Sequence, residues 1–210
     1  MEQAFNEIIH FAQVSKNGAV YAKEAVNEAD TDKFETLRGK LVKYEEISDR
    51  IEYEIATFLN AVSAEEISSR TSIMIKAMYK IIGELESLGD SGEAIGRILK
   101  RKNAHGKVFD KSILDRLNKM MDLVQKGYDV MIENLKNTDL KDISNAENCE
   151  YNINECRNHL REEHIVNIES NSYNYLTGVY FMDVLSELEK IGDFLINVSE
   201  AVVGKYEYEN

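Results

Sequence analysis

The chain has 210 residues, 43% of them hydrophobic, with a formal net charge of −13, two cysteines and no proline. Its acidity argues against nucleic acid and anionic membrane surfaces as direct partners, because both are bound through Lys and Arg. It suits cations or a basic partner instead.

The length fits one large domain or two small ones. Average proline usage of about 5% would supply about ten. Their absence, with 11 glycines, fits long helices joined by short links, although an AT-rich coding bias would deplete proline too. No stretch approaches the ~20 consecutive apolar residues of a bilayer span. Glu2 and Glu7 stand near the start with no basic region ahead of an apolar run, so no signal peptide is expected. Cys149 and Cys156, on one helix, would lie about 10 Å apart along its axis, beyond disulfide reach. Two unpaired thiols fit a reducing compartment, so the expected location is cytoplasmic.

In chain order, residues 2–28 predict a helix through Phe5, Ile8, Ile9, Phe11, Ala12, Val20, Ala25 and Val26. A polar turn at 27–32 offers N-cap candidates. The second helix carries Phe34, Leu37, Leu41, Tyr44, Ile47, Ile51, Ile55, Phe58, Leu59 and Val62 at spacings of three and four. Ser63-Ala64-Glu65-Glu66 reads as a capping box, which predicts a third helix from about Ala64 to Lys102. Asn103-Ala104-His105-Gly106-Lys107 is the clearest break. Three more helices are predicted over 112–136, 139–169 and 171–203. The expected fold is all-α: two tandem antiparallel three-helix bundles, 1–103 and 112–210, joined by a linker at 104–111.

A self-echo supports that duplication. Glu84-Leu85-Glu86-Ser87-Leu88-Gly89-Asp90 returns 103 residues later as Glu187-Leu188-Glu189-Lys190-Ile191-Gly192-Asp193. It sets Glu86 with Asp90, and Glu189 with Asp193, one helical turn apart on a shared face. Helix two holds a similar pair, Glu45 with Asp49, with Glu52 on the same face. An offset of 102, which sets Ile51 on Ile153, pairs Glu45 with Glu147 but Asp49 with Tyr151, so the last pair looks degraded. Glu150 or Glu155 could stand in for it.

Carboxylates from two adjacent helices can hold hard divalent cations, and oxygen-only ligation favours Mg, Mn, Ca or Fe over a thiolate zinc site. The plainer reading is a solvated face, where like charges four apart cost only about 0.2–0.5 kcal/mol. Gly89 and Gly192, each just before the Asp, suit either an ion or a close helix contact; helix-interior glycine costs about 1 kcal/mol against alanine.

Other signals are weaker. Glu7-Ile8-Ile9-His10 has the spacing of carboxylate-bridged di-iron bundles, which use two such motifs; one is present. His159 and His164 lie among Arg161, Glu162 and Glu163, where surface ion pairing is expected. His105 falls in the linker, and the cysteines read as small core residues.

Two three-helix repeats, each with Glu-Leu-Glu-x-[Leu/Ile]-Gly-Asp in its last helix, resemble PhoU proteins across essentially the whole chain. The run from Tyr44 to Glu52 adds to the likeness, and the stretch from Asp49 through Leu99 looks most like the PhoU-type cytoplasmic domain of bacterial sodium/phosphate cotransporters. Free-standing PhoU regulators are next. The resemblance implies a six-helix, non-catalytic cytoplasmic regulator of phosphate transport with divalent metal (Fe, Mn, Mg or Zn) on its acidic motifs. Carried over, these are Glu45, Asp49, Glu86, Asp90, Glu189 and Asp193, with Glu147 retained opposite the Tyr151 departure. Its implied partner is a phosphate transporter's membrane domain or a transport and signalling complex, with a homodimer as a compatible assembly. The competing readings are a di-iron enzyme and a helical adaptor with solvated carboxylates.

Overall fold

The computed structural model describes residues 1–137, 139–170 and 174–204. They form six helices: α1 (Glu2–Asn27), α2 (Thr31–Ser63), α3 (Ser69–Ala104), α4 (Lys111–Lys136), α5 (Ser144–Glu169) and α6 (Tyr175–Gly204). Each begins where a side chain can serve an unpaired backbone donor, or where the apolar stripe starts. Asp30 accepts from Lys33 N–H, and Asp110 from Ile113 N–H. The expected capping box at Ser63 does not form. Ser63 is still the last residue of α2 and donates back to the Leu59 carbonyl. The N-cap of α3 is Ser68, which accepts from Thr71 N–H. The fifth helix also starts later than predicted, at Ser144, after Asp142 has accepted its N–H. The predicted start of the sixth at 171 lies outside the described residues.

The mid-chain break is a closed helix end. Gly106 adopts φ +61°, its N–H bonds the Asn103 carbonyl, and Lys107 N–H bonds that of Lys102. This is the Schellman pattern, in which glycine avoids the Cβ clash of the left-handed region. It stops α3 and turns the chain into α4 within six residues, 105–110.

α1–α3 pack on one another as an antiparallel trio, and α4–α6 do the same. The trios meet along two edges, α3 with α6 and α1 with α4, the first being the more extensive. One buried apolar cluster runs through both, from Ile8, Phe11 and Leu41 through Leu85 and Leu88 to Phe181, Leu188 and Val202. Each such side chain contributes about 1.5–3 kcal/mol on full burial. The α1–α4 edge is polar at its rim. Lys16 pairs with Asp129, Lys23 with Asp122, and the Asn27 and Asn118 amides exchange hydrogen bonds of 2.9 and 2.8 Å.

The two echoed glycines are packing residues. A Cβ on Gly89 would stand 2.7 Å from Ser48 Oγ and 2.9 Å from Ser48 Cβ; one on Gly192 would stand 2.9 Å from Ile153 Cγ2. Each glycine lets the neighbouring helix approach within side-chain contact of its backbone. The same contacts set the register between repeats. If Gly89 and Gly192 are equivalent, so are Ser48 and Ile153. That shift, 105 residues, carries buried Leu41 and Ile55 onto buried Ala146 and Leu160. The 102-residue offset is therefore wrong by about one helical turn. It was anchored on Ile51, which is only half-buried, while the position facing the glycine is a serine, 2% exposed. In the observed register Glu45 corresponds to Glu150, Asp49 to Asn154 and Glu52 to Arg157. Tyr151, 60% exposed, is not the counterpart of Asp49.

Gly89→Ala and Gly192→Ala should each destabilise the fold by about 1–3 kcal/mol, the cost of overpacking. Gly39→Ala, where a Cβ meets nothing within 4 Å, should be neutral or stabilise by up to ~1 kcal/mol. Urea denaturation of the three variants checks this; equal effects would show that the close approach is not what fixes these glycines.

Candidate metal centre

The antiparallel α2 and α3 present six carboxylates to each other: Glu45, Asp49 and Glu52 from α2, and Glu86, Asp90 and Glu93 from α3. Carboxylate oxygens of Glu45, Asp49 and Asp90 all lie within 4.8 Å of one another. Glu86 stands outside that tight trio, yet it feels the charges of Asp90, Glu52 and Asp49. Among the described residues no ion pair engages Glu45, Asp49, Glu52, Glu86 or Asp90; Glu93 alone pairs, with Arg97 at 3.0 Å. Two like charges at such separations repel by about 1 kcal/mol in bulk water and several times that near a protein surface.

The titration behaviour carries the same strain. Partial burial first, then the Asp49, Asp90, Glu93 and Glu46 charges, push the Glu45 carboxyl above its ordinary value. Glu86 is raised by burial and then by Asp90, against a lowering hydrogen bond donated by the Ser87 hydroxyl at 3.3 Å. A hard divalent cation would supply the missing charge, and three oxygens already gathered from two helices would suit its ligand needs. With Asp49 and Asp90 exposed and Glu45 half-buried, the trio is open to entering ions. The donor set is all oxygen, which matches Mg, Mn, Ca or Fe. Sequence reasoning passed over Glu93, one turn beyond Asp90 on the same face.

The second repeat is built differently. Glu189 and Asp193 of α6 stand one turn apart as expected, but Arg157 of α5 reaches them, with Nη1 2.6 Å from a Glu189 oxygen. Burial, then Glu189, raise the Asp193 carboxyl, and Arg157 opposes them. Nearby on α5 the Asn154 amide donates to the Glu150 carboxylate. Glu147 sits exposed in the first turn of α5 and is not among the groups acting on Asp193. Glu147, Glu189 and Asp193 are thus not gathered into a group of three carboxylates like the one on α2 and α3. Arg157 was missed because the 102-residue offset hid its place opposite Glu189.

The remaining singled-out residues fall elsewhere. Glu7 and His10 are both exposed on α1. His159 pairs with Glu163 at 3.3 Å, as expected, whereas His164 lies against the Phe181 ring, centroids 5.8 Å apart. His105 hydrogen-bonds the Tyr180 hydroxyl. Cys149 and Cys156 are buried free thiols, and burial pushes both up in pKa.

Residues 117–202 match the sequence model of the PhoU domain. The whole fold is similar to solved structures at low identity. PhoU from Pseudomonas aeruginosa superposes with a TM-score of 0.86 at 15% identity, over 98% of this chain and 96% of that one. The phosphate transport system regulatory protein PhoU from Streptococcus pneumoniae gives 0.81 at 14% identity, over 99% and 95%. A putative PhoU-like phosphate regulatory protein from Shewanella oneidensis MR-1 gives 0.73 at 9% identity, over 95% and 97%. The chain thus has the PhoU-like all-α fold of six helices. No curated protein matches its sequence.

The crowded carboxylates set a pH dependence for the metal-free protein. Glu45 and Glu86 titrate above their unfolded values, so across that window the folded chain binds more protons than the unfolded one. Stability should then rise as pH falls from neutrality toward the unfolded carboxyl value of about 4.3. Thermal melts in chelator should show this rise, and Glu45→Gln/Glu86→Gln should flatten it. A double variant that follows the wild-type profile would mean that the repulsion lies elsewhere.

Proposed function

We propose that this chain is a non-catalytic PhoU-type regulator of phosphate transport that binds a divalent cation between α2 and α3. The observation that carries the reading is the likeness of the whole chain to PhoU structures, together with the PhoU-domain match over most of the second repeat. The sequence likeness leaned toward the cytoplasmic domain of a sodium/phosphate cotransporter. The structural matches favour the other reading, a regulator acting as its own chain, because they span 96% and 95% of PhoU chains. Its partner is a phosphate transporter or the associated signalling complex, met at the cytoplasmic face of the membrane. No described helix is long and apolar enough to cross a membrane.

The cation's role follows from the electrostatics of the site. Without it, α2 and α3 face each other with like charge across this face, opposed by the apolar packing of the two helices and by the close contact of Ser48 with Gly89. With it, the carboxylates of Glu45, Asp49, Asp90 and Glu86 become ligands or neighbours of one positive centre, and the two helices are tied at mid-length. The first repeat of the regulator is then the metal-dependent one.

Two measurements test the proposal. Chelator-stripped protein titrated with Mn²⁺ or Mg²⁺ should gain thermal stability, about 2.7 kcal/mol at a metal concentration 100 times Kd. Glu86→Ala/Asp90→Ala and Glu45→Ala/Asp49→Ala should each abolish the gain; if neither lowers metal content, the site is not a metal centre. Deleting the gene in its host should raise phosphate uptake in phosphate-replete medium, with rescue by the wild-type chain. Uptake and phosphate-starvation expression that do not respond would sink the regulatory reading.

A further inference from the structure

We infer that Arg157 is a built-in cation standing beside the counterpart of the first repeat's proposed metal trio, at the place of Glu52 and within reach of Glu189 and Asp193, so that the second repeat is assembled without metal and the chain carries a single metal centre. The register fixed by Gly89–Ser48 and Gly192–Ile153 aligns the two helix pairs residue by residue. Glu86 and Asp90 map onto Glu189 and Asp193, which keep their carboxylates. Glu45 maps onto Glu150, also kept. Asp49 maps onto Asn154, Glu52 onto Arg157 and Glu93 onto Ile196. Six carboxylates become three carboxylates and one guanidinium, so the formal charge of the constellation goes from −6 to −2.

The replacements act together. Losing Asp49 and Glu93 removes two ligands' worth of negative charge. Replacing Glu52 inverts one. What is left is three carboxylates with one arginine among them. The geometry agrees: Nη1 lies 2.6 Å from Glu189, and the side chain is only 19% exposed. Arg157 Nε is buried without a hydrogen-bond partner, so the side chain is held in the α5–α6 seam by packing and by its terminal nitrogens. A guanidinium is planar, carries five donors and keeps its charge at every physiological pH. It is a fixed charge, where a metal ion would exchange with solvent. Even the residue under the glycine changes: Ser48, whose Oγ has no hydrogen-bond partner, corresponds to Ile153, so that one contact is apolar in the second pair and polar in the first.

The metal count of one rests on the α2–α3 proposal; the role of Arg157 does not, and the experiment separates the two. Mn²⁺ binding and melting temperature are measured for the full chain as wild type, as Glu86→Ala/Asp90→Ala, as Arg157→Glu, and with these combined. Arg157→Glu restores the carboxylate found at Glu52. In the Glu86→Ala/Asp90→Ala background, Arg157→Glu should bind Mn²⁺ where its parent binds none. Arg157→Gln should melt several degrees lower in chelator and recover part of the loss on adding Mn²⁺, and Arg157→Lys should stay near wild type. Mn²⁺ retained by Glu86→Ala/Asp90→Ala at a site abolished by Glu189→Gln/Asp193→Asn would overturn the inference. So would an Arg157→Glu chain, folded by circular dichroism, that gains no Mn²⁺. A wild type that binds no Mn²⁺ defeats the α2–α3 reading alone, since gain by Arg157→Glu would still establish the arginine as the blocking cation.

Discussion

The close approach of two helix pairs, permitted by the missing side chain at Gly89 and Gly192, is the constraint on which the rest of the site depends. At each glycine a neighbouring helix rests within a side chain's width of the backbone, against Ser48 in one repeat and Ile153 in the other. That contact lies on the inner side of the pair. It aims the next residues around the helix outward and toward each other, which is why Glu45 and Asp49 meet Asp90. A bulkier residue at either glycine would move the helices apart and disperse the carboxylates before altering any of them.

Much of this was legible in the sequence. Spacings of three and four placed all six helices, and the Glu-Leu-Glu echo pointed to Glu86 and Asp90, two of the carboxylates that α3 sets against α2. The errors have local causes. Ser63 looked like a cap because a Glu follows it at the right distance, but α2 has enough apolar positions, up to Leu59 and Val62, to run through it. The start of α3 waits for Ser68, whose side chain reaches the Thr71 N–H. The register of α5 was lost because periodicity identifies apolar residues, and the buried counterpart of Ile153 is a serine. From one misaligned turn followed the choice of Glu147, the emphasis on Tyr151 and the omission of Arg157. Only the contact at the glycine, which sequence spacing does not contain, corrects all three.

The two repeats solve one electrostatic problem in two ways. Both inherit a Glu and an Asp one turn apart on a helix pressed against its neighbour, and partial burial penalises charge in both. In the second repeat the neighbour contributes a guanidinium, which offsets part of that charge within the chain. In the first it contributes more carboxylates, and neutrality has to come from solution. The PhoU-domain sequence match falls on the self-sufficient half, while the fold likeness extends over both. The two trios thus share the close helix contact at their glycines and differ in the charges set between those helices.

The two edges where the trios meet also differ in kind. Between α3 and α6 the contact is mostly apolar, through residues such as Leu85, Leu88, Leu185 and Leu188. The rim of α1 and α4 is held by Lys16 with Asp129 and Lys23 with Asp122, whose aspartates are 64% and 66% exposed. Charges so open to water are screened within about 8 Å at physiological ionic strength, whereas burial of leucine is indifferent to modest salt. Ionic strength therefore acts mainly on the rim of the α1–α4 edge, whereas the α3–α6 seam, with Lys80 and Glu200 as the ion pair at its own rim, rests mostly on apolar burial.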